Sequence, residues 1–284
     1  MEHIRDALKK AGITRNNIAL AEQTTQTKSD VEQPVETLNK RADKQMTVSE
    51  KNSTFSLREV IVDEKHLERK RIVSQSMNDP NHVAFNLLRT RVRKTMLDNQ
   101  WKNLAVTSPT PACGKTMVTL NLAYSLARAP GLKTVAVDLD LKRPSIGPTL
   151  NIEPTASIAQ YLLGKARPED CFVQVSENLV VGLNSGHTPA SSELIQAPKM
   201  LDLFEFIHST LEPDIVVFDL PPMRSTDDAL AFLPAVDTAL LVVASGKTTT
   251  VEVDECEMQI SELDKLLGVV LNKCADASQS EYYY

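Results

Sequence analysis

A loop at residues 109–116 combines the residue types that bind phosphate groups. Its sequence is PTPACGKT, and it lies between a short apolar run and a stretch with helical character. Gly114 permits close backbone approach, Lys115 supplies a cation for β- and γ-phosphate oxygens, and Thr116 offers a hydroxyl to Mg²⁺. Backbone N–H groups at a helix start add further donors. We therefore predict a nucleotide-binding loop, in which Pro109 replaces the usual first glycine. Its candidate binding residues are Pro111, Ala112, Cys113, Gly114, Lys115, Thr116 and Met117.

Carboxylates follow two apolar runs that have the character of buried strands. Asp138 and Asp140 stand in VAVDLDLKRP, and Asp219 stands in DIVVFDLPP. Ligands of open α/β sheets bind beyond the carboxyl ends of the strands. Carboxylates placed there can hold Mg²⁺ through oxygen and accept a proton from an attacking hydroxyl. Together with Lys115, these three aspartates are the candidate catalytic residues.

The elements that would position these residues form an alternating pattern. Six apolar runs read as strands, namely LAVTS, TVAVDLD, NLVVGLN, DIVVFDLPP, ALLVVASG and LLGVVLN. Helical stretches are predicted at 80–97, 115–128, 192–211 and 251–267. Strands that alternate with helices predict a mostly parallel sheet flanked by helices, the α/β class of P-loop NTPases.

Composition divides the 284 residues into four parts. Residues 1–12 predict a short amphipathic helix, which is either a frayed terminus or a docking helix for a partner. Residues 13–75 are rich in polar residues and are expected to be a mostly disordered linker. Residues 76–278 form the predicted P-loop domain, and residues 279–284 form a flexible tail.

Charge and cysteine content exclude several classes of function. The net charge of -6 does not favour a nucleic-acid partner. The four cysteines are scattered, without metal-ligand or disulfide-framework spacing, which fits a reducing cytosol. The N-terminus lacks the apolar region of a secretory signal, and no apolar run is long enough to span a membrane. We expect a cytoplasmic protein that reaches a membrane only through a partner.

The chain ends in the sequence SEYYY. Tyr282, Tyr283 and Tyr284 form an aromatic cluster after a polar stretch. They are either part of an ordinary tail or a set of phosphoacceptors. A flexible tail could reach a neighbouring active site at small loop-closure cost.

Together these motifs resemble those of the bacterial tyrosine autokinases of capsule and exopolysaccharide synthesis, the BY-kinases. The resemblance covers residues 78–284 and rests on GKT at 114–116, the D-x-D pair, Asp219 with Pro221, and the tyrosine tail. Lys142 stands where the family motif has arginine. The segments TPASSELI (188–195), GKTTT (246–250) and GVVLN (268–272) are also similar to the family's.

The resemblance implies a mechanism and a set of partners. ATP would lie on the loop, with Mg²⁺ held by Thr116, Asp138 and Asp219. Asp140 or Asp138 would deprotonate a tyrosine hydroxyl, and Asn272 would lie near the adenine. The tyrosine would come from the tail of a neighbouring copy in a ring. A membrane polysaccharide chain-length regulator would be the partner, which would place the protein at the inner face of the membrane. Outside the resemblance, the amphipathic residues 4–11 are the candidate contact with it.

One departure from the family pattern keeps other functions open. The family's self-association helix has the pattern E-x-x-R-x-x-R, and only Arg89 of that pattern is present here. A nucleotide-binding adaptor without kinase activity is therefore one alternative. A partitioning or site-selection ATPase of the ParA/MinD kind is another, although that class has a second lysine where Thr110 stands.

Overall fold

The central element is a sheet whose strands are mostly parallel, as predicted. The computed structural model describes residues 56–75 and 82–274. Its strands are β1 (Arg58–Glu59), β2 (Asn103–Thr107), β3 (Thr134–Asp138), β4 (Phe172–Ser176), β5 (Leu179–Gly182), β6 (Ile215–Asp219), β7 (Thr238–Ala244) and β8 (Leu266–Asn272). Within the described residues their order is β1-β4-β5-β3-β6-β2-β7-β8. All neighbours are parallel except β4 and β5, which are antiparallel.

Both faces of the sheet are buried, which explains the continuous apolar runs in the sequence. In β2, Leu104 and Val106 pack in a cluster on one face, whereas Ala105 packs in a cluster on the other. In β6, Val217 and Phe218 divide between the same two faces. All six strands predicted from apolar runs are confirmed.

Nine α-helices are present in the described part of the chain. They are α1 (Glu64–Arg69), α2 (His82–Asp98), α3 (Lys115–Ala127), α4 (Ile146–Leu150), α5 (Ile158–Leu162), α6 (Ser191–Ile195), α7 (Lys199–Phe206), α8 (Asp228–Phe232) and α9 (Thr250–Ser261). Helices α2 and α3 cover one face of the sheet. On the other face, Phe204 and Phe232 pack against Phe218 at ring-centroid distances of 5.3 and 5.0 Å. No described helix has the length and apolar character needed to span a membrane.

Two predicted helices differ in extent from the observed ones. The stretch predicted at 192–211 is divided into α6, α7 and a π-helical turn, because Pro198 interrupts the backbone hydrogen bonds between α6 and α7. The helix predicted at 251–267 ends at Ser261. Asp264 then adopts a left-handed conformation with φ of 55°, and the chain enters β8 at Leu266.

Residues 56–75 correct the predicted boundary between linker and domain. Leu67 of α1 and Ile72 are buried in a hydrophobic cluster that also contains side chains of α3. The amide of Val73 donates to Asn121 Oδ1 at 2.8 Å, and Ser74 donates to the same atom at 3.0 Å. A few apolar residues are enough to order this segment, because they join a core that the rest of the domain already forms. The predicted helix 1–12, linker residues 13–55 and the tyrosine tail lie outside the described residues.

Candidate functional site

The phosphate-binding loop lies between β2 and α3 in the predicted position. Ala112 and Gly114 adopt left-handed conformations with φ of 62° and 94°, and α3 begins at Lys115. A Cβ atom on Gly114 would collide with the side-chain amide of Asn272. Asn272 Nδ2 donates to the Cys113 carbonyl at 2.9 Å. The structure thus brings Asn272 against the loop, and its position relative to adenine stays a prediction.

Two lysines hold the same loop from outside the motif. Lys247 Nζ donates to the Pro111 carbonyl at 2.7 Å, and Lys273 Nζ donates to the Ala112 carbonyl at 2.8 Å. They follow β7 and β8, whose carboxyl ends lie at the edge of the sheet that carries the loop. Sequence analysis missed both lysines as functional residues, although the segments GKTTT and GVVLN contain or adjoin them.

The thiol of Cys113 is buried within the loop. Its Sγ lies 3.5 Å from Thr248 Oγ1 and 3.6 Å from Thr110 Oγ1. Burial alone would raise the pKa of this thiol, but hydrogen bonds from the two threonines and the nearby Lys247 outweigh burial and lower the pKa. The two hydroxyls therefore fix the position of the Cys113 thiol.

The four predicted catalytic side chains meet at one edge of the sheet. Strands β3, β6 and β2 are neighbours, so their carboxyl ends bring the two acidic motifs beside the loop. Lys115 Nζ lies 3.0 Å from Asp140 Oδ2 and 3.8 Å from Asp219 Oδ1. Asp138 and Asp219 are register partners on adjacent strands. Thr116 Oγ1 donates to Asp219 Oδ2 at 2.6 Å.

Asp138 is fully buried and accepts hydrogen bonds from the backbone. Its Oδ2 accepts from the amides of Ser145 and Ile146, each at 2.8 Å, and Oδ1 accepts from the amide of Asp140 at 3.2 Å. Burial and the nearby charge of Asp219 nevertheless raise the pKa of Asp138 to about 7. Burial beside a second carboxylate therefore disfavours the charged form of Asp138.

Lys115 and Asp219 stabilise each other's charged forms. Burial by itself would lower the pKa of Lys115, but Asp219 and Asp140 outweigh burial and raise it. Burial raises the pKa of Asp219, opposed by Lys115 and by the hydroxyl of Thr116. Lys115 is therefore a charged ammonium directed at the acidic cluster.

The oxygen atoms of this cluster suit a magnesium ion. Thr116 Oγ1 contacts Asp219 and also lies 2.7 Å from Ser145 Oγ. The backbone amide of Ser145 donates a hydrogen bond to Asp138. Hydroxyl and carboxylate oxygens are the ligands that Mg²⁺ prefers. Among residues 56–75 and 82–274, no group of three or more His, Cys, Asp or Glu is arranged to hold a metal. Further ligands would thus come from water and phosphate.

A second polar network supports the loop that follows Asp140. The buried Asp228 accepts from Ser191 Oγ at 2.6 Å and lies 3.5 Å from Lys142 Nζ. The Thr188 amide donates to the Leu141 carbonyl at 3.0 Å. The segment 188–195 therefore packs on the acidic loop. Sequence analysis missed Asp228 and Ser145, which lie outside the recognised motifs.

These features define a P-loop nucleotide-binding protein, and comparison with known proteins narrows the class. The chain is 28% identical over 220 residues to the tyrosine-protein kinase YwqD of Bacillus subtilis, covering 77% of this chain and 92% of YwqD. It is 30% identical over 203 residues to CapB of Staphylococcus aureus, a candidate tyrosine-protein kinase, covering 70% and 87%. The chain belongs to the bacterial tyrosine kinases. No family model matches it.

Solved structures agree with this assignment. The kinase domain of Escherichia coli tyrosine kinase ETK superposes with a TM-score of 0.66 at 27% identity, covering 73% of this chain and 81% of that domain. The septum site-determining protein MinD of Pyrococcus horikoshii gives 0.50 at 22% identity, covering 60% and 69%, which shows the fold alone. ExoP of Rhizobium meliloti, a succinoglycan biosynthesis transport protein, is 29% identical over 208 residues, but the match spans only 26% of its length.

Proposed function

We propose that this bacterial tyrosine kinase is an ATP-dependent autokinase that phosphorylates its own tail and regulates the polymerisation or export of a capsule or exopolysaccharide. One observation carries the proposal. Lys115 and Thr116 of the P-loop contact the carboxylates at the strand ends, Lys115 reaching Asp140 and Asp219 and Thr116 reaching Asp219, in a chain whose relatives include named tyrosine-protein kinases. Tyr282, Tyr283 and Tyr284 are the proposed acceptors.

The loop and the acidic cluster would share the binding of MgATP. Residues 111–117 would hold the phosphates through backbone amides and Lys115. Thr116, Asp138 and Asp219 would hold Mg²⁺, which when bound withdraws charge from the phosphate oxygens. Lys115 would leave Asp140 and contact the terminal phosphates of ATP. Its positive charge would then stabilise the negative charge on the phosphoryl group being transferred.

Transfer itself needs one proton acceptor. The tyrosine oxygen forms a bond to the γ-phosphorus, the bond from that phosphorus to the bridging oxygen breaks, and ADP leaves with the electron pair. The phenolic proton passes to a carboxylate of the pair Asp138 and Asp140. Asp140 is 4% exposed, whereas Asp138 is fully buried.

Residues 1–12 would connect the kinase to its site of action. The proposed partner is a membrane polysaccharide chain-length regulator, and contact with it would place the kinase at the inner face of the cell membrane. Deleting residues 1–12 should then reduce recovery of the protein with the membrane fraction. Unchanged recovery would reject this helix as the contact.

Intact-mass analysis after incubation with MgATP tests the kinase proposal. The wild-type chain should gain phosphate on the tail, whereas Lys115→Met and the triple variant Tyr282→Phe, Tyr283→Phe, Tyr284→Phe should gain none there. If the wild-type chain binds ATP but gains no phosphate, the adaptor alternative replaces the kinase.

A further inference from the structure

A basic cavity opens on the surface between α2 and the end of α3, away from the acidic cluster. Its volume is about 580 Å³, within the range of small-ligand sites. Four of its lining residues are cationic and the others are small or apolar, apart from one threonine. They are Arg89, Thr90, Arg93, Lys94, Leu97, Arg128, Ala129 and Pro130.

The positive charge in this basic cavity is not compensated. No lining residue carries a carboxylate. In the described part of the chain, none of the four cations forms an ion pair. Partial burial, together with repulsion from Arg128 and Arg93, lowers the pKa of Arg89. Like charges held this close favour the binding of an anion, because an anion would remove the repulsion.

The two inner arginines are fixed by backbone carbonyls. Arg89 Nη1 donates to the Ser125 carbonyl at 3.1 Å, and Arg128 Nη1 donates to the Ser74 carbonyl at 3.0 Å. Each guanidinium has five N–H groups, so several remain for a ligand. The carbonyls that would repel an anion are thereby already occupied. A preorganised pair of guanidinium groups is well suited to phosphate oxygens.

The rest of the cavity wall is apolar, so it favours a phosphate that is attached to an apolar group. Leu97 is 71% exposed, and Ala129 and Pro130 continue the same wall. An aromatic ring could pack on this wall while its phosphate contacts the arginines. A phosphoserine has no ring for this wall. The cavity therefore matches a phosphate monoester of a phenol.

We propose that this basic cavity binds phosphotyrosine from the tail of a second copy of the chain. The proposal rests on the proposed kinase function, which would supply that modification at residues 282–284. The docked tail would lie on α2, the helix that carries Arg89 of the family's self-association pattern. Phosphorylation would then change how copies of the chain contact one another through this helix.

Fluorescence anisotropy with a synthetic peptide tests the site. A labelled peptide of residues 277–284 with three phosphotyrosines is titrated with the full chain bearing the triple tyrosine-to-phenylalanine tail, so that no native tail competes. The comparison is Arg93→Glu against Arg91→Glu, since Arg91 is exposed on the same helix but outside the cavity. We expect Arg93→Glu to weaken binding by about tenfold or more and Arg91→Glu by no more than about twofold.

The other arms identify the ligand. The unphosphorylated peptide and a peptide with phosphoserine at the same positions should bind at least about tenfold more weakly than the phosphotyrosine peptide. Equal weakening by Arg93→Glu and Arg91→Glu, or equal binding of all three peptides, would overturn the proposal. So would Arg93-dependent binding to phosphatidylglycerol vesicles without binding of the phosphopeptide, which would assign the cavity to a membrane surface.

This experiment is independent of kinase activity. Because the peptide is phosphorylated chemically, its binding reports on the cavity even if the chain transfers no phosphate. A wild-type chain that gains no phosphate from MgATP contradicts the kinase proposal alone. A loss of discrimination between the peptides contradicts the cavity proposal alone.

Discussion

At the scale of single residues, Gly114 determines how close the P-loop can come to a phosphate group. Its φ of 94° lies in the region that only glycine adopts readily, and its missing side chain leaves room for the Asn272 amide. The amide in turn fixes the Cys113 carbonyl. The loop geometry therefore depends on Gly114 in the motif and on Asn272, which ends the edge strand β8.

Gly114→Ala should weaken nucleotide binding by about 5- to 150-fold, measured with a fluorescent ATP analogue. The new methyl group meets the Asn272 amide and forces a strained backbone, at a cost of about 1–3 kcal/mol. Gly131→Ala is a matched control, because Gly131 also has positive φ, at 69°, but a Cβ there meets nothing within 4 Å. The control should bind nucleotide normally. Normal binding by Gly114→Ala would contradict the described loop geometry.

His208 makes the folding stability sensitive to acid. Its Nε2 lies 2.9 Å from Asn103 Oδ1. Burial and the nearby Lys102 lower its pKa, partly opposed by Asp237. Below the ordinary histidine pKa of about 6.5 the unfolded chain binds a proton that the folded chain does not, so the free energy of unfolding falls as pH falls.

Urea unfolding at pH 7.5 and pH 5.5 measures this contribution. The difference between the two free energies of unfolding should shrink in His208→Gln, by at most about 1.4 kcal/mol per pH unit for one proton. His187→Gln removes an exposed imidazole and serves as the control. If His208→Gln keeps the full wild-type difference, His208 is not the acid-sensitive group.

At the scale of elements, apolar runs identified the strands that are buried on both faces. Strand β4 was missed because it is half exposed and pairs antiparallel with β5. A signal was nevertheless present, since the alternating FVQVS is separated from LVVG by only Glu177 and Asn178, a hairpin spacing. Helix α1 was missed because its six residues bury little more than Leu67.

Leu67→Ala tests whether residues 56–75 belong to the folded domain. Leu67 is completely buried, so its truncation should lower the free energy of unfolding by about 2–5 kcal/mol in urea titrations. Leu163→Ala, at a position that is 50% exposed, should change it much less. Equal stabilities for the two variants would show that α1 does not support the core.

The sequence motifs predicted those site residues that lie within them, but not the residues that support them from elsewhere in the chain. Lys115, Asp138, Asp140 and Asp219 stand in short patterns at strand ends, and parallel pairing of β3, β6 and β2 brings them together. The remaining contacts come from residues far away in sequence. The carboxylate of Asp228, for example, reaches Lys142 across 86 positions, and no local pattern encodes such a pairing.

At the scale of the whole molecule, the proposed reaction involves two copies of the chain. Membership of the bacterial tyrosine kinases rests on relatives such as CapB, and the proposed acceptor residues, 282–284, follow the last described strand in sequence. Arg89, the retained residue of the family's association pattern, contacts α3 and lines the basic cavity. We therefore expect one copy to supply the active site and another to supply the tail.

Mixing two variants with MgATP tests whether one copy phosphorylates the tail of another. The donor is the triple tyrosine-to-phenylalanine variant, which has an intact active site, and the acceptor is Lys115→Met, which has an intact tail. Peptide mass spectrometry of the separated chains should find phosphate on residues 282–284 of the acceptor. An acceptor without phosphate, from a mixture in which the donor binds ATP normally, would contradict phosphate transfer between copies.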